Sequence, residues 1–133
     1  MTEFDDVFDD IGEQDLPVLH LQLGSPEAFK VLFFQYYPQY LSFAVMCLGD
    51  QDHLVARNLT LEAFFLLWER HTDFDREQTI KAFLYLAVRN KCLHYLPSRS
   101  RTDLPPVTPP SSLPGDMLRD IFDYIDRSNF FAY

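Results

Sequence analysis

Between Thr79 and Leu96 the chain reads TIKAFLYLAVRNKCLHYL, and this stretch holds most of the side chains that could do chemistry. Phe83 and Tyr85 offer aromatic faces, Arg89 and Lys91 carry positive charge, and Asn90 has an amide that both donates and accepts hydrogen bonds. A surface for single-stranded nucleic acid combines these groups: cations along the phosphates, rings against the bases, and an amide at a base edge. The same residues also describe a packed helix with a solvated rim, and spacing by itself favours that plainer reading.

Charge is segregated along the chain. The net charge of -9 conceals a run from Met1 to Leu16 with seven acids and no Lys or Arg. From Arg76 to Arg101 there are six Lys or Arg, Arg99 and Arg101 among them, against Glu77 alone. An acidic tail and a basic segment therefore share one molecule, and phosphate contacts would come from the second.

Other chemistries find little support. His20, His53, His71 and His94 lack the i, i+4 partners of a helical metal site, and four glycines form no phosphate-binding loop. Cys47 and Cys92 sit within apolar helical patterns and read as buried thiols of a reducing compartment. We expect no catalytic residues, no metal ligands, no cofactor and no enzymatic activity. With no signal-peptide pattern and no apolar run long enough to span a bilayer, the expectation is a cytoplasmic protein without membrane insertion.

The elements that must position helix 79–96 are helical too. Ser25 is a capping residue, Pro26 suits the first helical position and Glu27 the positive end of the macrodipole. Phe29, Leu32, Phe33, Tyr36 and Tyr37 follow at helical spacing, Pro38 predicts a kink or interruption, and Gly49 a stop. A second helix is expected over 52–71 and a loop over HTDFDREQ, with Thr79 or a neighbour capping the third. Phe33, Phe64, Trp68, Leu84 and Leu93 should share one core.

Four parts result: an acidic tail (1–24), a helical domain (25–101), a Pro/Ser-rich extended linker (102–115) and a C-terminal amphipathic helix (116–133). Within the tail, Phe4, Val7, Phe8 and Ile11 have the spacing of a short helix. In the last part Asp116 is the expected cap, with Leu118, Ile121, Phe122 and Ile125 on one face. The fold class is all-α: a bundle of three main helices, the first kinked near Pro38, plus the C-terminal helix.

Three stretches in order, AFKVLFFQYYPQYLSFAVMCLGD, EAFFLLWERHTDFD and TIKAFLYLAVRNKCLHYL, resemble region 2 of the extracytoplasmic-function sigma factors of bacterial RNA polymerase, most of all the forms common in Bacteroidetes-type bacteria. The likeness covers about Glu27 to Arg101. It implies that the second helix docks on the coiled coil of the polymerase largest subunit, with Phe64 and Trp68 matching the family pattern and Glu62 and Glu69 matching acids there. It implies that the loop His71–Gln78 captures a flipped base of the minus-ten promoter element. The third helix would open and read that element through Phe83, Tyr85, Arg89 and Asn90, with Lys91, Arg99 and Arg101 holding the backbone.

The departures matter. Asn58 and Leu61 stand where the family usually has an Asp and a Gln, and Arg57 replaces what is often an acid, so the docking surface loses negative charge. Leu86 stands where many members carry a basic residue. The family's helix-turn-helix domain is not present in these residues, and 116–130 reads either as its first helix cut short or as a separate tail helix. Two functions follow. One is a sigma factor, or its region 2, that binds core polymerase through Asn58, Leu61, Glu62 and Glu69 and opens minus-ten promoter DNA, with an anti-sigma factor as a further partner. The other is a divergent sigma-like interaction module that titrates polymerase or an anti-sigma factor without opening promoters.

Overall fold

The computed structural model describes residues 16–49, 53–96 and 107–128, and among these there is no strand. Five α-helices account for most of them, so the chain is all-α: α1 (Leu16–Gln22), α2 (Pro26–Leu48), α3 (His53–Glu69), α4 (Glu77–Tyr95) and α5 (Gly115–Ser128), with a 3-10 turn at His71–Asp73.

Local chemistry sets the ends of α2 as expected. The Ser25 hydroxyl accepts from the Ala28 amide, Pro26 opens the first turn, and Gly49 ends the helix in the left-handed conformation, donating to the carbonyls of Met46 and Val45. Between them α2 runs unbroken through Pro38, where an interruption was one expectation. Proline removes the amide that would bond the carbonyl four residues back, here that of Phe34. In this fold the hydroxyl of Tyr124, on α5, donates to the Phe34 carbonyl at 3.3 Å. The distant hydroxyl occupies the acceptor that the proline leaves open, and so lowers the cost of carrying the helix through it.

Aromatic rings of α2 and α3 form the centre. Phe33 stacks on Tyr37 at 4.7 Å between centroids and meets Phe64 edge-on at 4.9 Å, while Phe29 lies 5.6 Å from Trp68. Phe29, Phe33, Tyr37 and Phe64 have no exposed surface. Offset and edge-on pairs of this kind add to the gain from burial itself. Burial also pushes the Tyr37 phenol well above its usual range.

Helix α4 closes the bundle through Ile80, Leu84, Val88 and Cys92, a row four residues apart, all fully buried. Leu93 was expected in the core and is instead 48% exposed. It lies about 100° round the helix from Cys92, and the row that drifts inward takes Cys92 in its place. The helix also starts earlier than expected. Arg76 occupies the capping position without a side-chain bond, and Thr79 lies inside the first turn with its hydroxyl donating to the Arg76 carbonyl. The α2–α4 seam is tied by the Tyr36 hydroxyl on the Glu77 carboxylate and the Tyr40 hydroxyl on the Lys81 carbonyl at 3.0 Å.

Both flanks are more structured than their composition implied. Part of the expected tail forms α1, whose Val18 and Leu21 are completely buried. Phe4, Val7, Phe8 and Ile11 lie outside the described residues. The second half of the expected linker is also packed: Leu113 is 4% exposed, and the Ser112 hydroxyl accepts from the Trp68 indole at 2.8 Å. Helix α5 begins at Gly115 rather than after an Asp116 cap, and buries Met117, Ile121 and Ile125 while Phe122 stays 37% exposed.

Candidate nucleic-acid interface

Opposite its buried row, α4 carries a ridge in which Tyr85, Leu86, Arg89, Asn90 and Leu93 succeed one another at three- and four-residue steps. All five are exposed. Tyr85, Leu86 and Leu93 retain 47%, 51% and 48% of their surface, so the ridge sets three large apolar side chains together at the surface. Tyr85 does not hang free. Its ring lies on that of Phe43 from α2, 4.9 Å between centroids and 21° from parallel, which fixes its plane while leaving the outer part open. Phe43 is a contributor that the sequence did not announce, because no spacing links a residue of α2 to one of α4.

Phe83 is placed differently. It is half-buried, meeting the buried Phe74 edge-on at 5.1 Å, and the Arg70 guanidinium sits 5.9 Å from its centroid. Phe83 thus anchors the loop between α3 and α4 rather than standing clear beside Tyr85. Phe74 acts as the plug of that loop, with Asp73, Asp75 and Arg76 exposed around it. The loop's other end is held by His71, whose ring lies 4.9 Å from Trp68 and whose Nδ1 is 3.3 Å from the Gln22 carbonyl. Gly24 lies beside it at φ +90°, a backbone conformation that side chains disfavour, although a Cβ there would be in ordinary contact with the His71 ring at 3.5 Å.

Lys91 turns away from the ridge to the Glu62 carboxylate of α3 at 3.3 Å, joining a residue expected to hold phosphate to one expected to meet polymerase. Arg99 and Arg101 lie outside the described residues. On α3, Glu69 is exposed, Asn58 and Glu62 are half-buried, and Leu61 is 2% exposed. Phe64 and Trp68 both belong to the core. The four expected polymerase contacts therefore do not form one open face: Arg57, Asn58 and Leu61 line a cleft of about 100 Å³ together with Val107, Phe122, Ile125 and Asp126.

The remaining reactive groups are quiet. Burial pushes the Cys92 thiol up to about 12, with neighbouring Cys47 adding to the effect, so it stays protonated and unreactive at neutral pH. Among the described residues there is no metal-binding cluster of His, Cys, Asp or Glu, and no helix is long and apolar enough to cross a membrane.

Comparison with protein families, with characterised proteins and with solved structures found no match to this chain.

Proposed function

We propose that the domain acts as a sigma-factor-like module of region 2 type, contacting single-stranded promoter DNA through the α4 ridge and core RNA polymerase through α3. The observation that carries the reading is the exposed Tyr85, held in plane by Phe43 and flanked by Leu86, Arg89 and Asn90. A ring fixed at the surface can stack on a base with little loss of side-chain entropy, and stacking is sequence-tolerant. Arg89 then supplies charge for the backbone and Asn90 a donor and acceptor for a base edge. Phe83 keeps the α3–α4 loop in place beside the ridge, through Phe74. An anti-sigma factor is a further partner in this reading.

A second reading, a sigma-like interaction module without promoter-opening activity, is favoured by the partly covered α3. Fluorescence anisotropy with a labelled non-template strand of minus-ten sequence separates the two. The first expects binding at low salt, by the domain alone or with core polymerase, that Tyr85→Ala weakens. Absence of binding by the unaltered chain in both settings leaves only the second.

A further inference from the structure

Residues 107–128 form a strap across α2 and α3. Its apolar contacts are Leu113, Met117, Ile121 and Ile125, each no more than 6% exposed. Its polar fastenings include Trp68 Nε1 to the Ser112 hydroxyl, Tyr124 to the Phe34 carbonyl, and Lys30 to Asp120 at 3.1 Å. The strap is acidic, with Asp116, Asp120, Asp123 and Asp126 against Arg119 and Arg127, and it meets α2 and α3 where they carry Lys30 and Arg57.

The edge of the strap is not packed like a core. Around Asn58 the contact is a cleft lined by Arg57, Asn58 and Asp126 as well as apolar groups, and Phe122 beside it remains partly open. The strap's apolar side chains join the core of the bundle, but this rim has the mixed polar and apolar character of interfaces between units that move relative to one another. The residues beneath it are Asn58 and Leu61, two of the four through which α3 would meet polymerase.

We infer that the strap is a displaceable cover of the α3 docking face, so that the chain holds its polymerase-binding surface closed until the strap leaves. The inference rests on the proposed docking role of α3. A segment tethered on the same chain acts at an effective concentration of roughly millimolar order, so a partner for the same surface must compete with it. Displacement exposes Leu61 and Asn58 together and frees Arg57 from the acidic strap. It also withdraws the Tyr124 hydroxyl from the Phe34 carbonyl, loosening α2 at Pro38.

The test titrates immobilised core RNA polymerase with the full chain and its variants. Ile121→Asp puts a carboxylate at a fully buried strap position and should raise affinity about tenfold or more, because the closed fraction no longer masks the site. Lys30→Glu is the gentler variant, a change at the surface that replaces the ion pairs to Asp120 across the strap and to Glu27 within α2 by repulsion. It should raise affinity about two- to fivefold, and adding Asp120→Lys to the same chain should reverse the gain. Equal affinity for the unaltered chain, Lys30→Glu and Ile121→Asp, all folded by circular dichroism, overturns the cover and leaves polymerase docking standing. Failure of every form to bind overturns the docking role and the cover with it. If Ile121→Asp does not fold, the Lys30→Glu gain and its reversal decide alone.

Discussion

Helices α3 and α4 carry the two surfaces on which the functional reading depends, and the fold treats them in opposite ways. On α4 one row of four side chains is sunk completely, and the ridge behind it, with Tyr85 and Leu86, is left open. On α3 the inward side chains are buried, Leu61 is buried and Asn58 half-buried as well, and both line a cleft shared with the strap. α3 is also the more apolar of the two helices. They differ further in their neighbours: the strap, packed on α2 through α5, reaches α3 at Trp68 and at the Asn58 cleft, while no described element lies over the α4 ridge.

The sharpest way to break the comparison is at the ridge. Tyr85→Ala should weaken binding to single-stranded minus-ten DNA by about tenfold or more, since stacking is worth roughly 1–3 kcal/mol per base, with little change in thermal stability. Phe83→Ala should do the reverse in emphasis: by opening a void against Phe74 it should lower stability by about 2–4 kcal/mol, measurable by urea denaturation, and weaken DNA binding only through the loosened loop.

Charge and amide variants on the same ridge give smaller and separable effects. Arg89→Ala should reduce affinity for all sequences alike and lower the salt dependence by about one ion. Asn90→Ala should leave non-specific binding intact and reduce discrimination between bases, read by competition with altered minus-ten strands.

The covered side is probed through Tyr124. Tyr124→Phe removes the hydroxyl that serves the Phe34 carbonyl and should cost about 1 kcal/mol in the unaltered chain. In a Pro38→Ala background the helix regains its own donor at that carbonyl, so the same change should cost less. Equal costs in the two backgrounds would show that hydroxyl and proline are not coupled.

Smallest in consequence is the thiol pair. Cys92 titrates higher in the folded chain than in an open one, so the stability that its protonated form confers is complete below about pH 9 and is lost as pH rises toward about 12. Replacing Cys92 by Ala should therefore flatten the fall in stability above pH 9. At pH 8 a thiol reagent should label half-buried Cys47 well before Cys92.

Local signals carried much of the helical framework. The Ser25–Pro26–Glu27 start, the Gly49 stop and the apolar spacing of α2 and α3 act over a few residues, and each is present in the fold where the pattern put it. Long-range decisions were not legible. That Cys92 rather than Leu93 faces the core depends on the inward drift of one row over the length of α4. That Val18 and Leu21, in the apolar end of the N-terminal segment, form a packed helix depends on a site against the bundle.

The sequence by itself determined an all-α chain, its main helices, and a basic helix bearing aromatics beside an acidic N-terminal stretch, because caps, periodicity and charge are properties of neighbouring residues. Only the tertiary structure decided that Tyr85 is propped on Phe43, that Phe83 anchors a loop, and that the strap meets α3 at Asn58 and Leu61. It also decided that α2 passes through Pro38 with a hydroxyl from α5 at the vacant carbonyl. Each of these joins residues on different helices, and which faces meet is set by packing all the helices at once, which no local spacing encodes.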